Sequence, residues 1–463
     1  MSYKNLFFKI YNKAKSFIIY LIFFSIVITL LLSIKLKNKE IEKLSIEISD
    51  ISEKYFKTKY ASSVKSYYVE KITHLNSEDL FKIEFELNTQ DELLIHNEPY
   101  TKIIDEDLKL NNYKTKFISG IKLRFPGSAF IDIADKRIFV ISSAGVLGSG
   151  LINENLKIKP LQSNINSFYD KSYFKKRKEF SIKDLLIFND KIFVSFIREN
   201  KKNCFNISVI AADLNFEFLE FEEYFNPNEC LISNLDQNES ELIDYFTPNQ
   251  SGGRIIGLNN DNLILTIGDF RFRYLAQNKD SVFGKILKIN SNNNQNYEIL
   301  SMGHRNPQGL IKLKNENILM STEHGPKGGD EINLIDLNDK KIINYGWPVS
   351  SYGNHYGPDD LLKKRKYEVY PLHKNHKDFG FKEPIKFYDE SYGISEIQQI
   401  KNNLFVHGSM KRQELVFFEL NEDRNSINVL FSIKINERIR DMKYYDKKLY
   451  MFLENSASIS IFD

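Results

Sequence analysis

Two stretches of this sequence carry residue types and spacings that could do chemistry. The first is 301–357, SMGHRNPQGLIKLKNENILMSTEHGPKGGDEINLIDLNDKKIINYGWPVSSYGNHYG. His304, Arg305, Asn306 and Gln308 precede one apolar run. Glu323, His324, Gly325, Pro326, Gly328, Gly329, Asp330 and Glu331 follow the next. Glycines let the backbone turn sharply and expose its carbonyls. Carboxylates beside such carbonyls suit a hard cation, since calcium takes roughly six to eight oxygens. A charged surface loop is the competing reading. The second stretch is Arg438-Ile439-Arg440. On a strand, alternation puts both guanidinium groups on one face. Such a pair can clamp carboxylates, although Arg-Ile-Arg is more often a solvated edge. His373 and His376 stand three apart in PLHKNHKDF. No third ligand accompanies them, so a surface loop is expected in preference to zinc.

These residues need elements to hold them, and one unit recurs from residue 115 onward. It is an apolar strand, a polar Asn/Asp/Lys turn and a second apolar strand. It reads SAFIDIADKRIFVIS (128–142), DLLIFNDKIFVSF (184–196), RIIGLNNDNLILTIGD (254–269), LIKLKNENILMSTEHG (310–325), EIQQIKNNLFVHGS (396–409) and IRDMKYYDKKLYMFLE (439–454). Asn and Asp tolerate the left-handed backbone angles of tight turns. Six such hairpins, with no convincing amphipathic helix between them, predict an all-β fold, a six-bladed β-propeller over 115–463. A pair of β-sandwiches explains six similar hairpins less well. In a propeller the loops at one end converge on the axis, so residues far apart in sequence can share one site.

Composition narrows the class. Lys+Arg number 64 and Asp+Glu 61, a net charge of +3, so there is no polybasic footprint for nucleic acid. A hydrophobic fraction of 42% and an aromatic fraction of 13% exclude a mostly disordered chain. The two cysteines, Cys204 and Cys230, exclude a four-thiolate zinc site and allow one bridge, in an oxidising compartment.

The N-terminal part reads differently. Residues 17–34, FIIYLIFFSIVITLLLSI, carry no charge and are long enough to span a bilayer. No small-x-small cleavage site follows, which predicts an uncleaved transmembrane anchor behind a short head, 1–16. Lysines flank both ends, so the positive-inside rule gives no orientation. The large body after the span favours a body outside the cytoplasm, on the periplasmic side. Ile34, Ile41, Leu44, Ile48, Ile51 and Tyr55 trace a heptad seam, which predicts a helical stalk over 35–58. The stalk either pairs with a second copy or acts as a spacer. Residues 59–114 are mixed and polar and show no assignable pattern.

GHRNPQGL, EHGPKGGDEIN and NYGWP, in that order and at those intervals, resemble the signature blocks of the glucose/sorbosone dehydrogenases. The resemblance extends over about 115–463 and is strongest after 250. It implies a six-bladed propeller that oxidises an aldose at its anomeric carbon to a lactone. The hydride acceptor implied is pyrroloquinoline quinone (PQQ), assisted by calcium, with electrons passing to an unidentified acceptor. It also implies roles. Lys411, Arg438 and Arg440 look like the cofactor's carboxylate ligands. The carbonyls of Gly325 and Pro326 look like ligands of the cofactor's calcium. Asp330, Glu331, Tyr345 and Ser351 look like a second, structural calcium site. Arg271 or Arg273 looks like the arginine beside the quinone oxygen; the local spacing leaves both open. The family's histidine base is missing: its segment is Leu185–Asp190, and Gln250 stands where a second block carries histidine. Asp190 is the substitute base within that segment, and a turn aspartate with a structural role is the competing reading. A propeller that binds without catalysing is therefore the alternative function.

Overall fold

The computed structural model describes residues 100–462, apart from 106–107, 116–127, 144, 154–155, 170–180, 234–241, 260–261 and 291–295. The expected anchor at 17–34 and stalk at 35–58 lie outside the described residues. Among the described residues, no helix is long and apolar enough to cross a membrane.

Six sheets, antiparallel but for one short parallel edge strand, make six blades. Their inner strands are Ala129–Ala134, Ile182–Phe188, Gly252–Asn259, Pro307–Lys312, Ile394–Lys401 and Ile439–Tyr445, blades one to six in chain order. Each inner strand packs against that of the next blade, and the sixth packs against the first. The expected propeller is therefore present, and each hairpin read from the sequence is the inner pair of a blade. Three hairpin turns hold both central residues at positive φ: Asp135-Lys136, Asn189-Asp190 and Asp446-Lys447. Those are the angles that match the right-handed twist of flanking strands.

The boundary at 115 moves. Leu108–Lys114 pairs with the C-terminal strand Ser458–Phe462, and Tyr100–Asp105 adds outside it. Residues 100–114 thus complete blade six and join the two ends of the ring. In blade two, Cys204 and Cys230 form a disulfide with a Cα–Cα distance of 5.3 Å, as the sequence allowed.

The centre of the ring is ionic. Arg254, 5% exposed, reaches from blade three to Asp184 of blade two (3.0 Å), Asp441 of blade six (2.7 Å) and Glu396 of blade five (2.9 Å). It also donates to the carbonyls of Gln308 in blade four (2.5 Å) and Arg440 (3.2 Å). Asp441 in turn accepts from Ile131 N of blade one at 2.7 Å. One side chain therefore links all six inner strands. Removing one member of a buried ionic network leaves the others uncompensated, at a cost of roughly 3–5 kcal/mol. Urea unfolding of Arg254→Ala is expected to show a loss of that size, with the midpoint lowered. A loss comparable to that of a surface substitution would refute the central role of this guanidinium.

Candidate functional site

Inner strands start, and second strands end, at one face of the ring. Glu323 sits at the end of its strand and organises the neighbouring start. Its Oε1 accepts from the Arg305 and Asn306 amides, and its Oε2 lies 2.8 Å from His304 Nδ1. The next turn, Glu323-His324-Gly325-Pro326, is packed too tightly for a side chain at Gly325. A Cβ there would lie 2.1 Å from Gly329 O and 2.3 Å from Gly328 O.

Arg438 and Arg440 do share a face, because both grip Glu454 at the end of the adjacent strand. Arg438 Nε is 2.7 Å from Oε2, and Arg440 Nη2 is 2.5 Å from Oε1. Glu454 is buried, yet the two guanidinium groups hold its carboxyl down at about 2. Both arginines keep about a fifth of their side-chain surface open (21% and 20%), so they are not a solvated edge. Lys411 is exposed on the turn after Met410, with its backbone beside Gly393. Gly393 N donates to Asp330 Oδ2 at 2.6 Å, and Asp330 Oδ1 accepts from Gly325 N at 3.0 Å. One carboxylate thus ties the Lys411 turn to the Gly325 turn. A second route runs from Arg440 through Gln308 (3.4 Å) and Asn306 (3.0 Å) to His324 Nδ1 (3.4 Å).

Beyond Pro326 the same face has a small, partly open cleft. Gln250, Arg271, Arg273, Arg305, Pro326, Trp347, His355, Tyr356 and Lys366 line it. The last four polar and aromatic groups come from one excursion between the strands Asp330–Asp336 and Lys386–Tyr388 of blade four. That excursion pairs Ile343–Asn344 with the edge of blade three, then forms the α-helix Leu361–Val369, capped by Asp360. Asp269 lies beneath, fully buried. It accepts from Trp347 Nε1 (2.7 Å) and the Arg271 amide (2.7 Å), and burial pushes its carboxyl up to about 6. Gln250, with its amide turned to suit its neighbours, donates to Asp269 (3.1 Å) and accepts from Arg305 Nη2 (3.0 Å).

Arg271 and Arg273, which the sequence left undistinguished, both enter the cleft but differ. Arg273 is paired with Asp244 at 2.5 Å and with Ile243 O at 2.6 Å. Arg271 pairs with no carboxylate among the described residues; its guanidinium lies 3.8 Å over the Tyr245 ring and bonds that hydroxyl. Asp190 is elsewhere. It is exposed in the turn at the far end of its inner strand. The near end, at Lys183, touches Gly253, so the turn lies roughly 20 Å away along the strand. Asp190 thus sits in the hairpin turn, away from the cleft.

The second calcium set does not form a hard-cation cage. Asp330 Oδ2 already accepts three amides, from Tyr392, Gly393 and Ile394, besides the Gly325 bond to Oδ1. The Tyr345 hydroxyl donates to Leu334 O. Ser351 O accepts from the Lys374 ammonium at 3.2 Å. Glu331 Oε1 faces His376 Nε2 at 3.6 Å. Among the described residues no cluster of three or more acidic, histidine or cysteine side chains could hold a metal. His376 is buried, not on a surface loop, and His373 stacks on Phe379 instead of joining it.

His355 is the functional candidate that sequence reasoning missed. It is 2% exposed, and its Nε2 is fixed to Tyr370 O at 2.8 Å. The residue lines the cleft. Burial, together with Arg273, Lys366 and Arg271, pushes its pKa down to about 4, so it is neutral at pH 7. The signal was thin: one histidine in GNHYG, in an insertion with no periodicity.

The family profile described as Glucose / Sorbosone dehydrogenase matches residues 189–460, more than half of the chain. Aldose sugar dehydrogenase YliI of Escherichia coli (strain K12) is 27% identical over 232 residues, 46% of this chain and 59% of that protein. Quinoprotein glucose dehydrogenase B of Acinetobacter calcoaceticus is 39% identical over 172 residues, 28% of this chain and 35% of that protein. The matches thus span less than two thirds of either relative. The apo-form soluble aldose sugar dehydrogenase of Escherichia coli superposes with a TM-score of 0.56 at 19% identity, covering 73% of this chain and 96% of that one. The PQQ-bound aldose sugar dehydrogenase of Streptomyces coelicolor gives 0.52 at 14%, covering 80% and 98%. At these identities the superpositions speak for the fold alone.

The Asp330 carboxylate yields a direct test. Asp330→Asn turns one acceptor into a donor facing an amide, which costs about 1–3 kcal/mol. Thermal unfolding of the variant is expected to show that loss with and without a calcium chelator. Equal stability of variant and native protein in chelator would return Asp330 to the role of a metal ligand.

Proposed function

Because the chain belongs to the glucose/sorbosone dehydrogenase family, we propose that it oxidises an aldose at the anomeric carbon to a lactone, with PQQ as hydride acceptor. The observation that carries this reading is the meeting, at one face of the ring, of the Arg438–Glu454–Arg440 cluster with the Gly325–Pro326 turn. PQQ is a tricarboxylate. Lys411, Arg438 and Arg440, offset by Glu454, leave two positive charges open to it, and charge-assisted bonds to carboxylates are strong. The residues fit that group. For calcium the chain offers the Gly325 and Pro326 carbonyls, and Pro326 O already accepts from Tyr356 at 2.8 Å. A calcium ion there depends on further oxygens from outside the chain, and none is proposed at Asp330, Glu331, Tyr345 and Ser351.

The bound quinone would supply the hydride acceptor. The chain's own task is to place the sugar and take its hydroxyl proton. In this reading His355 takes it. Its Nε2–H is held by a backbone carbonyl, which leaves the lone pair of the neutral ring on Nδ1, in a residue that lines the cleft. A base must be unprotonated to act, and a depressed pKa keeps this one so throughout the neutral range.

The proposal places the protein at a membrane through residues 17–34, with the propeller outside the cytoplasm and electrons leaving to an unidentified acceptor. The disulfide supports an oxidising compartment. A catalytically silent binding propeller is the second reading. It is favoured by the absence of histidine from Leu185–Asp190 and from position 250.

Reconstitution with PQQ and calcium, followed by absorbance and aldose-dependent dye reduction, separates the two. Turnover is expected, with kcat level from pH 6 to 8 and falling only as His355 protonates toward pH 4. His355→Gln should keep the quinone absorbance and lose roughly 100-fold in kcat. Quinone uptake without turnover on any aldose supports the silent propeller. Unchanged kcat in His355→Gln removes this residue from the mechanism.

A further inference from the structure

Blade five ends differently from its neighbours. The outermost strands of blades one to four are only two to four residues long. The outermost strand of blade five, Ile427–Lys434, has eight residues. It pairs on its inner side with Glu414–Leu420, and among the described residues no strand pairs with its other side. Val429, Leu430 and Phe431 are 44%, 42% and 52% exposed on it. No proline interrupts the strand, and its one charge, Lys434, stands at the end. A register shift that skips Leu430 is its only irregularity. A long apolar edge of this kind is a template for a further strand, and natural proteins cover or blunt it.

The two faces of this edge differ. Phe431 stacks on Phe417 with ring centroids 4.6 Å apart, and Ile433 packs on the same side against the core shared with blade six. Lys434 stands on the opposite face, half-exposed and paired with Glu414. The chain enters the described residues at this same place. Lys102, in the outer strand Tyr100–Asp105 of blade six, donates to Ile435 O at 2.8 Å, the carbonyl that directly follows the edge strand. The residues before Tyr100 therefore depart from beside this edge. Within 59–114 one short run alternates without a break: Phe81-Lys82-Ile83-Glu84-Phe85-Glu86-Leu87. On a strand its four apolar side chains share one face, and Lys82, Glu84 and Glu86 the other. That division matches Phe431 and Ile433 on one face of the edge and Lys434 on the other. Residues 88–99 span up to about 40 Å when extended. The edge strand is roughly 26 Å long, so the run can reach any position along it.

We propose that residues 81–87 add to the outer edge of blade five as a fifth strand beside Ile427–Lys434. The chain thereby covers its own most exposed apolar edge. The aromatic side chains of the added strand extend the Phe417–Phe431 stack, and its glutamates lie on the side of Lys434. Blade five then has five strands, as blade six already has. The proposal is independent of the dehydrogenase reading, since it involves neither the cleft nor the arginine cluster.

The test is hydrogen exchange read by mass spectrometry on the full chain in detergent, at two protein concentrations. Peptides covering 81–87 and 427–434 are expected to be protected at both concentrations. Peptide 427–434 should exchange roughly tenfold or more faster once Ile83→Lys and Phe85→Lys are introduced together. The reciprocal variant, Phe431→Lys, should release 81–87. Exchange of the inner strands, such as Ala129–Ala134, should stay unchanged in both, which separates loss of the added strand from loss of the fold. If Phe431→Lys does not fold, the Ile83→Lys/Phe85→Lys protein decides alone, because its changes lie outside the described propeller. Exchange of native 81–87 at the rate of an unpaired peptide overturns the proposal. So does protection of 427–434 that ignores the changes at Ile83 and Phe85. Protection of 427–434 that rises with concentration and is indifferent to those changes would give the edge to a second copy of the chain, and would equally overturn it.

Discussion

A single buried guanidinium sets the geometry on which everything else in this propeller depends. Six strands that meet around an axis must fill that axis with something. Here it is filled by charge: Arg254, with Asp184, Glu396 and Asp441 around it, and Lys443 with Asp132 alongside. The carboxylates also cap backbone amides of neighbouring blades. Asp132 takes Ile187 N, Asp184 takes Ile255 N and Asp441 takes Ile131 N. Acids outnumber bases in this centre, and burial pushes the carboxyls of Asp132, Asp184 and Glu396 up. An apolar plug would avoid that penalty. Ionic and hydrogen-bonded geometry adds direction, because each bond fixes one strand relative to another.

That direction reaches the surface. Arg254 donates to the carbonyl of Arg440, whose side chain turns outward to share Glu454 with Arg438. The proposed carboxylate clamp is therefore anchored to the axis by its backbone and to its neighbour by its side chain. Asp330 plays the matching role across the face, where it joins the Gly325 turn to the start of blade five. Rigid support of this kind is what places charged groups to within the tolerance that ligand binding needs.

Period-two apolar runs around Asn/Asp turns made the six hairpins legible, because both signals are local. The closing strands at 100–114 were not, since their pairing partner lies some 340 residues on and nothing in their own pattern announces it. Arg438 and Arg440 were legible as a pair through alternation alone. In the sequence, a carboxylate among glycines looks the same whether it gathers amides or a cation, and only the fold shows the four amides that meet Asp330. Asp190 was entertained on segment position, which says nothing about which end of a strand faces the axis opening. His355 and Lys366 escaped notice because the insertion that carries them has no strand period, and only folding brings it over Arg271.

The closure of blade six carries a consequence for biogenesis. Its outer strands come from the start of the described residues and Ser458–Phe462 from their end. Five blades can form before these ends pair, but the ring stays an open arc until Ser458–Phe462 meets Leu108–Lys114. An arc that lacks this strand leaves Lys448–Leu453 with an unpaired edge, the kind of edge that invites pairing with another chain.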